Sequence, residues 1–243
     1  GAQIHYGRPI QRLERAEGAR PWLLGGNPRT PPEAFDAVVV TVALPVLASG
    51  QLFLADSEVR DVVAAAMNGI RLGHYLKVGL WWPQAAAALG GNEACRAYAT
   101  SMDGEQVWQI EKLAGSPVLV AAAAGRYALR LAQLGKEPAI DEAISAVRLA
   151  ADLRAGQPEA ARTMLWSSDA AFGGAYSYSE PHAGLARPRL SRLNSSLREA
   201  GCPGLYFAGE AYSLTQYGNL DGAYESAVQA AADCHAYLGS LVG

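Results

Sequence analysis

The segment 205–233, with the sequence LYFAGEAYSLTQYGNLDGAYESAVQAAAD, constrains the fold of this chain more than any other part. Phe207 and the aromatic residue before it suit the end of a buried strand, and Gly209 removes side-chain bulk beside the backbone. Apolar residues recur at helical spacing from Ala223 onward. The segment therefore predicts a strand, a glycine-containing loop and a helix that begins near Gly222.

The predicted start of this helix is also a candidate ligand site. The first amides of an α-helix have no partner within the helix, and the helix dipole places partial positive charge there. A group bound at this end should therefore carry partial negative charge. The small residues after the preceding strand would let a flat ligand approach the backbone.

Composition excludes several classes of protein. With 50% hydrophobic residues and a net charge of −3, the 243 residues can bury the core of one or two domains. The basic residues are not gathered into a patch, so we expect no nucleic-acid partner. The longest apolar run, at residues 37–48, is too short to span a membrane and contains Pro45. We therefore expect a soluble, cytoplasmic protein, with secretion as the alternative.

The cysteines indicate neither a disulfide framework nor a metal site. They are odd in number, widely separated and without metal-ligand spacing: Cys95, Cys202 and Cys234. We expect free thiols and no metal. The four histidines lie in unrelated sequence settings, so nothing indicates a hydrolase.

Strand-like and helix-like patterns alternate along the chain. The predicted strands lie at 4–15 (a pair), 37–47, 74–82, 117–125 and 164–166, and the predicted helices at 57–67, 126–134, 142–153 and 190–199. Ser57 is the predicted N-cap of the first of these helices, and residues 89–116 are predicted to be irregular. Interleaved helices and strands indicate an α/β or α+β fold.

Lys77 interrupts the apolar run HYLKVGLWW at residues 74–82. The chain has only three lysines, and period-two alternation places this one on a face with Tyr75, Gly79 and Trp81. A buried lysine is costly without a partner, so its place in an apolar strand indicates a functional role. The alternative is an edge-strand lysine whose stem covers the tryptophans while its amine reaches solvent.

The segment 205–233 resembles the C-terminal FAD-binding signature of the flavin-containing amine oxidases, the family of monoamine, polyamine and L-amino acid oxidases. The strand that holds Lys77, with the tryptophans after it, is similar to the family strand whose lysine holds a water against the flavin. Trp166 and FGGAYS at 172–177 resemble the family block in which a Trp precedes a Gly-Gly turn and an aromatic ring. The resemblance implies an FAD-dependent oxidoreductase.

By this resemblance, three residues act catalytically at the flavin face. Lys77 assists reoxidation of the flavin by oxygen and positions water near the imine. Tyr176 forms one wall of an aromatic cage that receives the amine, with an ordinary packed tyrosine as the alternative. Asn219 falls on the second cage position and has no ring, so the substrate should carry a hydrogen-bonding group near its amine. Tyr217 is a second candidate for the missing ring.

The resemblance also implies which residues hold FAD. Glu210 matches the acidic residue that contacts the ribityl or pyrophosphate region. Ala175 replaces the cysteine that bonds to the flavin in mammalian monoamine oxidases, so the FAD should be non-covalent. The expected cofactor-binding residues are Pro9, Ile10, Thr41, Trp166, Gly209, Glu210, Asn219, Leu220 and Ala223. The family matches at Pro9, Ile10 and Thr41 are less specific, because any hydrophobic strand after a turn would match equally well.

The sequence lacks the glycine-rich turn of a dinucleotide fold. No Gly-x-Gly occurs in the 243 residues, whereas the family's GxGxxG turn admits the pyrophosphate near the start of a chain about twice as long. We therefore expect residues 1–56 and 200–243 to be part of the FAD-binding domain and residues 57–199 part of a mixed-sheet substrate domain. A second polypeptide, the other product of a processed precursor, would complete a hetero-oligomer, and a truncated chain is the alternative.

The resulting hypothesis is a subunit of an FAD-dependent amine or L-amino acid oxidase. It would oxidise the C–N bond of a small amine or amino acid to an imine, and then to a carbonyl and ammonia, while O2 becomes H2O2. Arg187 or Arg189 could bind a substrate carboxylate, but we expect both to face solvent. The rivals are an FAD-dependent desaturase or protoporphyrinogen-type oxidase and a non-catalytic regulatory subunit, the latter favoured by Asn219.

Overall fold

The computed structural model describes residues 2–16, 21–26, 31–101, 104, 106–153 and 156–242. The chain forms two compact units. Unit 1 comprises Gly1–Leu72 and Tyr176–Gly243, and unit 2 comprises Gly73–Ala175. Both units mix helices and strands, which confirms the predicted α/β character.

The elements are numbered here in chain order. The strands are β1 (Arg12–Arg15), β2 (Trp22–Gly25), β3 (Glu33–Phe35), β4 (Val38–Val40), β5 (Phe53–Leu54), β6 (Ile70–Leu72), β7 (Tyr75–Trp81), β8 (Cys95–Thr100), β9 (Val107–Lys112), β10 (Val118–Ala124), β11 (Ala160–Met164), β12 (Ser177–Ser179) and β13 (Leu205–Phe207). The helices are α1 (Leu44–Ala48), α2 (Ser57–Met67), α3 (Pro83–Gly90), α4 (Gly125–Leu134), α5 (Lys136–Ala150), α6 (Ala186–Ser191), α7 (Leu193–Glu199) and α8 (Leu220–Ser240), with a 3₁₀ turn at Glu210–Tyr212. In the part of the chain that is described, no helix is long and apolar enough to cross a bilayer.

The division between the units differs from the predicted boundaries at residues 57 and 199. α2 packs into the core of unit 1, and β6 pairs with β12 so that Ile70 lies opposite Ser179. The segments 57–72 and 176–199 therefore share a unit with both ends of the chain. The assignment of cofactor and substrate binding to these units stays a prediction.

Unit 1 has three small sheets around one core. Its four-stranded sheet has the order β3-β2-β1-β5, β4 pairs with β13 in parallel, and β6 pairs with β12 antiparallel. Apolar side chains of these strands and of α2, α6 and α7 are almost completely buried, including Leu13, Trp22, Val59, Leu190, Leu193, Leu197 and Phe207. The core thus fixes β4 and β13, the strands that lead to several predicted site residues.

Two predicted strands of unit 1 are shorter than expected. Within residues 4–15 only β1 forms, and it pairs with β2 rather than within its own segment. β4 ends at Val40, and the later part of the predicted strand is helical, because Pro45 lies in the first turn of α1, where its fixed backbone angle favours a helix. Val38 and Val40 are buried and Val39 is 41% exposed, so one face of β4 is buried in this chain.

Helix boundaries in unit 1 also correct the sequence predictions. The N-cap of α2 is Asp56 rather than Ser57, since the Asp56 carboxylate accepts a hydrogen bond from Val59 N at 3.1 Å. The single helix predicted at 190–199 is two short helices, α6 and α7, that meet at Arg192. The prediction of β13 followed by a long helix is confirmed.

Unit 2 is an antiparallel five-stranded sheet with helices on one face. The strand order is β11-β7-β10-β9-β8, and the predicted strands at 74–82 and 117–125 are confirmed as β7 and β10. Leu76, Val78 and Leu80 point into the core with residues of α4 and α5. By alternation along β7, Lys77 faces the opposite side of the sheet.

The region 89–116 is not irregular as predicted. It contains the end of α3 and an antiparallel pair in which β8 runs alongside β9. β11 ends at Met164, so Trp166 lies in the turn after the strand and not within it. α4 agrees with the predicted helix, whereas α5 already begins at Lys136.

A chain of hydrogen bonds that begins at buried Trp108 and Tyr127 joins β9 to α4 and α5 in unit 2. Trp108 Nε1 donates to Tyr127 Oη at 3.0 Å, and Tyr127 Oη donates to Glu142 Oε2 at 3.1 Å. The two rings meet edge to face, with centroids 5.9 Å apart. Burial raises the pKa of Tyr127, so the phenol stays protonated and continues to donate.

We expect Tyr127→Phe to lower the free energy of unfolding by about 2 kcal/mol, because it leaves the buried Trp108 Nε1 without an acceptor. Tyr98→Phe is the matched control: Tyr98 lies on β8 of the same sheet and is 59% exposed. The free energy of unfolding of Tyr98→Phe should stay within about 0.5 kcal/mol of the parent value. Urea unfolding of both variants measures the difference, and equal effects would contradict the proposed importance of the Tyr127 hydroxyl.

Candidate active site

The carboxyl ends of β4 and β13 form one edge of unit 1. The strands are parallel with Val40 opposite Phe207, and Ala208 N donates to the Val40 carbonyl at 3.0 Å. Thr41 directly follows β4, and Gly209 lies two residues after the end of β13, so the structure brings these two predicted cofactor residues to one edge. Ligands of parallel α/β sheets bind at the carboxyl ends of the strands.

Gly209 begins a turn that is tied to α8. Its φ angle is 147°, a backbone conformation that favours glycine. Ser226 Oγ accepts a hydrogen bond from Gly209 N at 3.0 Å and donates to the Gly209 carbonyl at 2.8 Å. The first turns of α8 are therefore held beside the end of β13.

The N-terminus of α8 is not capped by a side chain. Asn219 occupies the N-cap position, but its Nδ2 donates to the Tyr217 carbonyl at 3.3 Å. The amides at 220–222 have no acceptor within the helix, whereas Ala223 N donates to the Asn219 carbonyl at 3.3 Å. Leu220 is 85% exposed. The positive end of the helix dipole thus suits a ligand group with partial negative charge.

The loop before α8 folds back onto the helix. Ser213 Oγ accepts from Gln216 N at 3.0 Å and donates to Glu225 Oε2 at 2.9 Å. The loop passes so close to Gly222 that an added Cβ there would lie 2.1 Å from the Gln216 carbonyl oxygen. Glycine at position 222 is therefore a steric requirement of this loop.

Tyr176 lies against the same loop. A Cβ added at Gly218 would lie 3.7 Å from atoms of the Tyr176 ring, so the ring packs beside the residue that precedes Asn219. Tyr176 is 40% exposed. The structure thus brings Tyr176 and the Asn219 segment together within unit 1. Their catalytic roles stay predictions.

The Glu210 carboxylate accepts hydrogen bonds from two segments of the protein. Its Oε1 accepts from Ser177 N at 2.9 Å, and its Oε2 accepts from Ser177 Oγ at 2.7 Å and from Gly218 N at 2.6 Å. Three donors use most of the acceptor capacity of a carboxylate. The predicted contact between Glu210 and the cofactor stays a prediction.

Arg187 is a buried residue of this region that the sequence analysis misjudged. It is only 5% exposed, so the expectation that it faces solvent was wrong. Its Nη1 donates to Ser177 Oγ at 3.0 Å and to the Ala211 carbonyl at 2.6 Å. Burial lowers the pKa of Arg187, and the charge of Glu210 opposes this shift. Its position three residues before buried Leu190, on one face of α6, was the available signal.

Pro9 and Ile10 line a cleft of about 400 Å³ in unit 1. The remaining described walls come from Gly7, Arg8, Leu24, Gly25, Gly26 and Pro31. The segment is fixed at its end, since Gln11 N donates to the Gly25 carbonyl at 2.9 Å. Pro9 and Ile10 thus lie at a concave surface, and their contact with the cofactor stays a prediction.

Lys77 lies in the second strand of the unit 2 sheet, between β11 and β10, so it is not on an edge strand as the alternative had it. Its side chain is exposed rather than buried, with Nζ 5.6 Å from the centre of the Tyr75 ring. Its exposure agrees with that alternative and contradicts the expected burial, and its catalytic role stays a prediction. Trp166 is half-buried in the same unit, and His74 Nδ1 lies 3.0 Å from Ser167 Oγ. The site residues of unit 2 are therefore Lys77 and Trp166, and the others belong to unit 1.

The features of unit 1 fit a flat, partly anionic group such as the flavin of FAD. The uncapped start of α8 supplies amides, and the turn at Gly209 allows close approach beside two parallel strands. Within the described ranges, no group of three or more His, Cys, Asp or Glu residues could hold a metal ion.

The chain is similar to known proteins over most of its length. Residues 1–235 match the family described as flavin containing amine oxidoreductase. Polyamine oxidase 5 of Oryza sativa subsp. japonica is 28% identical over 218 residues, which are 86% of this chain and 40% of that protein. Polyamine oxidase 2 of Arabidopsis thaliana is 30% identical over 210 residues, which are 82% of this chain and 39% of that protein.

A solved structure shows a similar fold. Cyclohexylamine oxidase from Brevibacterium oxydans IH-35A superimposes with a TM-score of 0.63 at 20% sequence identity, covering 95% of this chain and 48% of that protein. The chain thus spans about two fifths of the length of the curated relatives, which match over 40% and 39% of their lengths.

Proposed function

Because this chain belongs to the flavin-containing amine oxidoreductase family, we propose that it forms part of an FAD-dependent amine oxidase. When bound, FAD supplies the oxidant: a hydride leaves the carbon that bears the amine, giving an imine, and O2 takes up the electrons as H2O2. Water then converts the imine to a carbonyl and ammonia. The observation that carries the proposal is the packing of Tyr176 beside Gly218, at the open start of α8.

We assign the flavin end of FAD to the backbone and small side chains of unit 1. Thr41 and Gly209 would contact the flavin where it lies beyond the ends of β4 and β13. The backbone amides at 220–222 would face the side of the flavin ring that gains negative charge on reduction. Ala223 would contribute only its small side chain, because its amide is engaged within α8. Asn219 would place its side-chain amide near the reacting amine.

The rest of FAD is assigned to residues beyond this edge. Pro9 and Ile10 would contact the adenine at their cleft, Glu210 would contact the ribityl or pyrophosphate region, and Trp166 would contribute from unit 2. The FAD would be non-covalent, since Ala175 cannot bond to the flavin. A second polypeptide with the GxGxxG turn would complete the site, and the intact mass and gel pattern of the native protein would reveal it.

An amine, and in particular a polyamine, suits the described residues better than an L-amino acid. Arg187 is buried and is therefore not an open site for a substrate carboxylate, and Nη2 of Arg189 is engaged by the Asn68 carbonyl at 2.6 Å. Asn219 adds a hydrogen-bonding group where the family has a ring. A polyamine carries a second nitrogen that can use such a group.

The proposal predicts that the native protein is yellow and loses its colour when an amine is added without oxygen. Spermidine and cyclohexylamine are the probes, L-leucine tests the amino acid alternative, and peroxide is measured after oxygen is admitted. Bleaching by an amine with peroxide release supports the oxidase. Yellow colour unaffected by all three probes favours a desaturase or protoporphyrinogen-type oxidase, and a colourless protein favours a non-catalytic subunit.

A further inference from the structure

The Glu210 carboxylate connects the two segments that carry the predicted cage residues. Ser177, whose N and Oγ donate to Glu210 at 2.9 and 2.7 Å, directly follows Tyr176. Gly218, whose N donates to Glu210 at 2.6 Å, directly precedes Asn219. One carboxylate therefore accepts hydrogen bonds from the sequence neighbours of both cage residues, Tyr176 and Asn219.

Arg187 supports this carboxylate from the buried side. Its Nη1 donates to Ser177 Oγ, which in turn donates to Glu210, and the same Nη1 contacts the Ala211 carbonyl. Its guanidinium lies 4.0 Å from the centre of the Tyr217 ring, on the loop that leads to Gly218. A guanidinium that is only 5% exposed needs a counter-charge. Glu210 is the charged group that acts on it.

We propose that Glu210 and Arg187 are positioning residues, which together fix the separation between Tyr176 and Asn219. The proposal rests on the proposed function, in which these two residues flank the amine. Hydrogen bonds to charged groups are stronger than neutral ones, so the pair ties the segment at Ser177 to the loop at Gly218. The same guanidinium packs against the Tyr217 ring, the second candidate for the missing ring.

Glu210→Gln is the sharpest variant, because it keeps the shape of the side chain and removes its charge. The amide has one oxygen and one NH2 group, whereas Ser177 N and Gly218 N both require an acceptor. Whichever way the amide turns, one of the two backbone donors loses its partner. Arg187 also loses its counter-charge. Arg187→Met removes the other half of the pair, and Arg187→Lys keeps the charge without the planar fork.

Hydrogen exchange measured by mass spectrometry tests the connection without any substrate. In Glu210→Gln and Arg187→Met, we expect exchange in peptides containing 176–178 and 216–219 to rise roughly tenfold to 100-fold, with a smaller rise in Arg187→Lys. Peptides of β13 should be unchanged. Arg189→Met is the matched control, an exposed arginine on the same helix, and it should change neither peptide. A rise confined to one of the two segments would overturn the connection.

The two half-reactions of the native protein separate positioning from general stability. We expect Arg187→Met to slow reduction of the flavin by spermidine about 100-fold, because a displacement of the cage misaligns the amine, while reoxidation by O2 keeps its rate. Equal losses in both half-reactions, or unchanged reduction despite the faster exchange, would overturn the positioning role. A wild-type protein that no amine reduces would overturn the proposed function instead, and the exchange data would still decide whether the two loops are joined.

Discussion

Gly222→Ala should release FAD from the protein and destabilise unit 1. The added Cβ would lie 2.1 Å from the Gln216 carbonyl oxygen, 2.7 Å from its carbon and 3.0 Å from Ser213 Cβ. Two of these neighbours are backbone atoms, so either the loop or the first turn of α8 has to move. We expect the free energy of unfolding to fall by about 3 kcal/mol. If FAD contacts lose a similar amount, its affinity falls about 100-fold.

Gly239→Ala is the control in the same helix. Nothing lies within 4 Å of a Cβ added at Gly239, and alanine is the better helix former by up to about 1 kcal/mol. This variant should be as stable as the parent protein or slightly more stable. Thermal unfolding and the ratio of FAD to protein after gel filtration measure both effects. Full FAD retention in Gly222→Ala would contradict the assignment of the flavin to this end of α8.

The strand and helix around Gly222 could be predicted because each follows from residues close in sequence. The apolar spacing after Ala223 has helical period, and the short aromatic run before Gly209 suits a buried strand. The apolar runs of β7 and β10 are equally local signals. Whether a segment forms a helix or a strand could therefore be predicted wherever its apolar pattern was long or strongly apolar. The elements predicted in this way carry most of the predicted site residues.

The pairing of β8 with β9 was missed because a charged residue interrupts its apolar alternation. Trp108, Ile110 and Lys112 all point inward, and Lys112 is 3% exposed. Its Nζ donates to the Glu93 carbonyl at 2.6 Å, which satisfies the buried ammonium. A lysine at an inward position is indistinguishable from a solvent-facing lysine until its distant acceptor is known.

The Arg187–Glu210 pair could not be predicted for a related reason. Glu210 was identified by its place in a motif, but its partners Ser177 and Gly218 come from separate loops. Arg187 lies among other arginines of a polar-looking helix, and only the fold shows which of them is buried. Sequence patterns give the candidate residues, whereas the network that orients them depends on long-range contacts.

Lys77→Met should slow reoxidation of the reduced flavin by O2 about 100-fold, a loss comparable to removal of one charge-stabilising donor. The proposed role is to stabilise the negative charge that oxygen acquires as it accepts electrons, which methionine cannot do. Reduction by spermidine should change little. Because Lys77 is exposed in unit 2, the free energy of unfolding should stay within about 0.5 kcal/mol of the parent value.

Arg162→Met separates a specific role of Lys77 from a general effect of positive charge. Arg162 lies on β11 opposite Gly79 and therefore shares the exposed sheet face with Lys77. If the position of the ammonium matters, stopped-flow reoxidation is slow in Lys77→Met and normal in Arg162→Met. Equal slowing of reoxidation in both variants would mean that the rate depends on the total positive charge of this sheet face and not on the position of Lys77. Exposed charges act over about 10 Å at moderate salt. An unchanged rate in Lys77→Met would remove the lysine from the oxygen reaction and leave the site of unit 1 as the part of the proposal that still stands.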